Sequence, residues 1–174
     1  MQHRKLQGFT LIEMVVVVAI IAAMAAILVP VISDELVSSE RSHALGDTQR
    51  IAAAITQYVK DTRLLPTGPD GDNTINWMFG TGNLPAVNPF DDGDSDALLD
   101  YLTDGAANGG AKWNGPYLQE IPEDPWGNAY VVNTHGYFQD GEYVWVLSAG
   151  PNGDIDTAVD ATAPAGDDIG ILID

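Results

Sequence analysis

Residues 8–32 read GFTLIEMVVVVAIIAAMAAILVPVI. From Phe9 to Ile32 this run is apolar except at Thr10, Glu13 and Pro30. As a helix it would extend about 36 Å, enough to cross a hydrocarbon core of about 30 Å. His3, Arg4 and Lys5 precede it, which predicts a cytoplasmic N-terminus and an exported remainder. Ala19, Ala22, Ala23, Ala25 and Ala26 leave room for neighbouring helices to approach closely. A plain cleaved signal peptide is the alternative, and AAMAA at 22–26 offers small residues for a cleavage site. Such a peptide has an apolar stretch of only about 7–15 residues. A carboxylate in hydrocarbon also costs at least about 2.5–3.5 kcal/mol unless it is partnered. Length and Glu13 together favour a retained anchor whose carboxylate has a task.

Downstream, VISDELVSSERSHALGDTQRIAAAITQYVKDT continues without a linker. Val37, Ala44, Leu45, Thr48, Ile51, Ala52, Ile55, Tyr58 and Val59 recur at steps near three and four. The spacing predicts an amphipathic helix from Ser33 to Thr62, continuous with the apolar segment, with Pro66 ending the helical region. Gly46 is a soft spot in it, costing about 1 kcal/mol relative to Ala. His43 lies on its solvent side.

From Thr67 to Lys112 the composition turns to Gly, Asp, Asn and Pro, which reads as a long variable loop. One short helix is expected over Asp96–Thr103, capped by Ser95 or Asp94. DDGDSDA at 91–97 has alternating carboxylates but fails the EF-hand pattern: Ala97 stands at the turn-glycine position and Thr103 at that of the bidentate Glu. Further on, AYVVN and EYVWVLS are strand-like. Asp140-Gly141 suits a tight connection between them. A small antiparallel sheet packed on the helix stripe predicts an α+β fold. Trp113, Tyr117, Trp126, Tyr130 and Trp145 are its expected core aromatics.

The 174-residue chain has a formal net charge of −18, so nucleic acid is a poor partner. From Leu64 onward there are 19 of the 25 acidic residues and one of the seven Lys and Arg, Lys112. The absence of cysteine excludes thiol catalysis and disulfides. His3, His43 and His135 are dispersed, and no phosphate loop, zinc helix or nucleophile elbow is present. A structural role, not an enzyme, is expected.

KLQGFTLIEMVVVVAIIAAMAAILVP resembles the N-terminus of type IV prepilins and type II secretion pseudopilins, where a basic leader ends in Gly and is followed by Phe and TLIE. The resemblance implies cleavage between Gly8 and Phe9 by a prepilin peptidase, with methylation of the new Phe9 amino group. It makes Phe9, Glu13 and Pro30 the assembly residues. In a stack of such helices, the Glu13 carboxylate can neutralise the amino group of a neighbouring Phe9, and repeated head-to-tail contacts build a helical filament. The implied organisation is a leader (1–8), a transmembrane and assembly helix (9–32), the amphipathic half of the long helix (33–65) and a periplasmic head (66–174). The head comprises the variable loop (67–112) and the C-terminal sheet with a calcium loop (113–174).

GPYLQEIPEDPWGNAY resembles the major pseudopilin of type II secretion, as does the Pro66-Thr67 step after the helix. That family continues with a Ser-x-Gly-x-Asp turn and an Asp-Ile-Gly near the C-terminus, here SAGPN (148–152) and GDDIG (166–170). Its loop binds calcium. Carried over, the ligands are Asn152, Asp168 and the Ala149 carbonyl, with Asp167 adjacent. Asn152 stands where the family has Asp, and Asp154 or Asp156 could restore the lost charge. The implied function is a structural subunit of the periplasmic pseudopilus, anchored in the inner membrane. Its partners would be copies of itself, other pseudopilins, the prepilin peptidase and, indirectly, an assembly platform with its ATPase. A surface type IV pilin and a soluble calcium-binding secreted domain are the alternatives. The first is disfavoured by the missing C-terminal cysteine pair and by DPWG.

Overall fold

The computed structural model describes residues 8–68, 73–91, 93–104 and 112–173. Most of the expected leader (1–7), Asp92 of the acidic stretch, parts of the variable loop and the Pro30 side chain lie outside them. The chain divides into two units, Met1–Ser39 and Glu40–Asp174. Helix α1 (Leu11–Thr62) is assigned through both and without interruption across position 30.

Within the first unit, α1 is long and apolar enough to cross a membrane, and none of its apolar window is buried. Its start is a reciprocal capping box. The Glu13 amide donates to Thr10 Oγ1 at 3.3 Å, while Glu13 Oε2 accepts from the Thr10 amide at 2.8 Å and its hydroxyl at 2.6 Å.

Within the second unit, α1 buries Ala44, Thr48, Ile51, Ala52, Ile55 and Tyr58 along one face, as the three-and-four spacing predicts. The helix ends at Thr62, before Pro66 is reached. Arg63 takes a left-handed φ of 63°, and its amide bonds the Val59 carbonyl at 2.9 Å, closing the last turn as an αL cap does. The Thr62 hydroxyl donates to the Tyr58 carbonyl and accepts from the Leu64 amide.

Among the described residues the strands are β1 (Ile75–Phe79), β2 (Asp94–Ala97), β3 (Val131–Asn133), β4 (Val144–Ser148) and β5 (Ile169–Ile173). They form one sheet in the order β2-β1-β3-β4-β5. The β1–β2 pair is parallel and the others antiparallel. The α+β architecture is as expected, but the sheet is mixed and larger than the sequence shows. INWMF, which is β1, lies in the stretch expected to be loop. Asp94–Ala97 is a strand where a helix and its cap were expected. The helix shrinks to one turn, α2 (Leu99–Leu102), whose N-cap Leu98 offers no side-chain oxygen. The acidic stretch is tied down by tryptophan and tyrosine: Trp77 Nε1 donates to Asp91, and the Tyr101 hydroxyl to Asp96. Between β3 and β4 the chain makes a 3₁₀ turn at His135–Tyr137 before Gly141 turns it at φ 90°, so Asp140-Gly141 closes a longer connection.

Strand β4 explains why the head has two cores. All its residues are buried. Successive side chains of a strand face opposite sides, so both faces of the sheet are covered. Val144 and Val146 join Tyr130, Val132, Met78 and the α1 face. Trp145 and Leu147 join Trp77, Phe90, Val131, Ala149 and Ile155 beneath the loops. Tyr130 and Trp145 are core aromatics as expected, and Trp113 and Tyr117 are half-buried against the first core. Trp126 belongs to neither cluster and is only half-buried. Tyr58 and Tyr101, fully buried and packed edge to face at 5.9 Å, complete the set.

Candidate functional site

Two places carry the expected functional residues. At the first, Phe9 is 83 % exposed, and Glu13 sits one helical turn beyond it in the capping box. In the single chain Glu13 already has partners, the Thr10 amide and hydroxyl. Thr10 thus offsets part of the cost of holding a carboxylate at an apolar helix end.

The second place is built outward from β4. Where that strand ends, the Ser148 hydroxyl donates to Asp124 Oδ2 at 2.7 Å and accepts from the Gly150 amide at 3.1 Å. Asp124, buried at 4 % exposure, also accepts from the amides of Trp126 and Asn128 through Oδ1. Asn128 Nδ2 reaches across to the Gly150 carbonyl at 3.0 Å. The DPWG turn therefore fastens the chain as it leaves the sheet for the 3₁₀ turn Gly150–Asn152. Gly150 needs its φ of 62° there, and a Cβ would press on the Asp167 carbonyl. These residues carried no site expectation; an aspartate two and four positions before donors of its own backbone is an Asx-turn signal.

From there the loop returns to β5 around Asp168, which is 4 % exposed. Asp168 Oδ2 accepts from the amides of Asp156 (2.9 Å) and Thr157 (2.8 Å) and from the Thr157 hydroxyl (2.6 Å). Its other oxygen, Oδ1, is buried without a hydrogen-bond partner. Burial lifts this carboxyl above the usual carboxylate range, against the pull of the Thr157 and Asp156 hydrogen bonds. The Asn152 amide donates to Asp167 Oδ2 at 3.0 Å. The expected ligand positions Asn152, Asp167 and Asp168 therefore lie in one loop cluster, with Ala149 buried at its root. Asp154 does not point the same way: its Oδ1 accepts from the Val87 amide at 3.1 Å.

Among the described residues, no three His, Cys, Asp or Glu side chains gather tightly enough to hold a metal by themselves. A cation here would have to draw on amide and carbonyl oxygens as well, which calcium accepts with six to eight loosely arranged ligands. The buried, unpartnered oxygen of Asp168 fits such a role, because an ionised oxygen without donors is costly unless a charge faces it.

Two family profiles match the chain. One, described as the prokaryotic N-terminal methylation motif, covers residues 3–29. The other, described as type II secretion system protein G, covers residues 93–163. A type II secretion system core protein G from Pseudomonas aeruginosa is 33% identical over 130 residues, covering 75% of this chain and 75% of the relative. The chain belongs to the type II secretion system protein G family. The Escherichia coli core protein G is 29% identical over 158 residues, covering 91% of this chain and 90% of its own. That from Aeromonas hydrophila is 28% identical over 138 residues, covering 79% and 80%. No solved structure matches the chain. The protein G profile includes the Asp124 turn, Ser148 and Asn152, and stops before Asp167 and Asp168.

Proposed function

We propose that this chain is the major pseudopilin of a type II secretion system, the subunit that stacks into the periplasmic filament. The observation that carries this reading is its relationship to core protein G over most of both chains. The methylation motif over 3–29 favours a processed prepilin over a plain secretory signal. Naming by secretion-system relatives favours a pseudopilus over a surface pilus. In this reading the prepilin peptidase cuts between Gly8 and Phe9, and the amino group of Phe9 is methylated. The precursor waits in the inner membrane with its N-terminus cytoplasmic and its head in the periplasm. Assembly with copies of itself and other pseudopilins then pairs each Glu13 with the Phe9 amino group of a neighbour. An assembly platform and its ATPase drive growth, and the filament pushes exoproteins toward the outer-membrane secretin.

Calcium is part of the same proposal. Asp168, Asn152, the Ala149 carbonyl and residues of the 153–167 loop would hold it, and the ion would neutralise a loop otherwise crowded with carboxylates. The test is deletion of the gene followed by complementation. Secretion of folded exoproteins should stop and return with the wild-type chain, and mass spectrometry should find a mature N-terminus at methylated Phe9. Unimpaired secretion with loss of surface fibres would overturn the pseudopilin assignment, and a start after the Ala-rich stretch would overturn filament assembly.

A further inference from the structure

We propose that in this loop Asp156 supplies the cation-binding carboxylate that Asn152 lacks, while Asp154 serves as a clamp to a neighbouring loop. The inference rests on the calcium reading above and specifies its ligands.

Two contacts locate the Asp156 carboxylate, and two more fix the loop around it. Asn152 Nδ2 donates to Asp156 Oδ2 at 3.1 Å, so the two side chains face each other. The Asn152 Oδ1 is turned to the Asp154 amide at 2.7 Å. The Asp156 amide donates to Asp168 Oδ2 at 2.9 Å, which seats the Asp156 backbone on the Asp168 carboxylate. Gly166, at a φ of 60°, lies so close that any Cβ there would collide with the Asp156 carboxyl group. The Asp156 side chain is thus held between Asn152 and the Gly166–Asp168 return, in the same loop cluster as Asp168, whose Oδ1 is buried and unpartnered. The latter is an independent sign that this side of the cluster is built for a ligand: Asp168 is almost wholly buried, and an oxygen in that position wants a donor or a cation.

Charge completes the argument. Asp156 and Asp168 together carry two negative charges, the amount that balances a divalent cation. The carboxylate missing at position 152 reappears four residues later, facing the amide that replaced it. Asp154 is directed elsewhere by its own contacts. Its carboxylate accepts from the Val87 amide, and the adjacent Ile155 amide donates to the Val87 carbonyl at 2.9 Å. Asp154 therefore pins the 84–88 loop, whose Leu84 and Val87 are more than half exposed.

The experiment is a calcium chloride titration of the chelator-stripped full-length chain in detergent, followed by calorimetry, on Asp156→Asn, Asp154→Asn, Asn152→Asp and the double variant N152D/D156N. Fewer ligand charges weaken calcium, so Asp156→Asn should lose about tenfold or more in affinity. The double variant, which moves the carboxylate back to position 152, should recover most of that loss. Asp154→Asn should leave calcium affinity within about threefold and instead speed amide exchange at Val87 and Ile155. Wild-type affinity in Asp156→Asn would overturn the assignment while leaving calcium binding intact. No binding by the wild-type chain would overturn the calcium reading itself. If Asp156→Asn does not fold, the comparison of Asn152→Asp with the double variant decides: weaker binding in the double variant supports Asp156 as a ligand, and equal affinities overturn the assignment.

Discussion

At the scale of single residues, Asp124 has the largest structural role for the least obvious reason. It is buried, and it satisfies two amides and the Ser148 hydroxyl at once. Asp124→Ala would leave those donors unpaired, so unfolding stability should fall by about 3 kcal/mol in denaturant titrations. An unchanged midpoint would remove Asp124 as the fastener of the loop. Tyr58 makes a second case. Burial pushes its phenol from an ordinary 10.0 up to about 12. The folded value lies above the unfolded one, so its contribution is complete below pH 10 and is lost as pH climbs toward 12, at about 1.4 kcal/mol per unit. Melting temperature should fall across that window, and Tyr58→Phe should flatten this part of the profile. The sequence showed Glu13 as an isolated carboxylate. Its bond to Thr10 was equally local, because a Thr three residues before a Glu is a capping box wherever a helix starts between them.

At the scale of elements, α1 was legible from end to end because helix periodicity is written in neighbouring residues. Gly46 is one expected weakness of it, and a Cβ built there meets nothing within 4 Å. Gly46→Ala should therefore stabilise the isolated subunit by up to about 1 kcal/mol, seen as a higher melting temperature; a lower one would show that the glycine is needed for some other contact. The strands were legible where β-branched and aromatic residues ran without an interrupting Asn, Asp or Gly. YVVN and YVWVLS stand out, whereas β1 as INWMF, β2 as DSDA and β5 as IGILI do not announce a register. β2 is a strand only because β1 offers its edge, and DSDA has no intrinsic preference for that state. The helix expected over Asp96–Thr103 is shorter for the same reason: the sheet claims the residues that would have capped it.

At the scale of the whole molecule, charge is the dominant fact. The whole of the −18 belongs to the region from Leu64 onward, so the folded head repels itself. Raising ionic strength from about 0.01 to 0.15 M shortens the screening length from about 30 to about 8 Å, and the melting temperature should rise accordingly. Calcium should add a further increase beyond sodium chloride of equal ionic strength, and equal effects of the two salts would leave only general screening. By itself, the sequence determined a helix long and apolar enough to cross a membrane, its continuation, the two central strands and the family. These depend on hydropathy, spacing and short motifs, all of which are properties of adjacent residues. Only the tertiary structure decided that the sheet is mixed and covered on both faces, and that Asp124 ties DPWG to the end of β4. It also separated two aspartates that look equivalent in GDIDT, turning the Asp154 carboxylate to Val87 and seating the Asp156 amide on Asp168. Those outcomes rest on contacts between positions 12 to 67 residues apart, and no local pattern in a chain encodes which distant donor a carboxylate will meet.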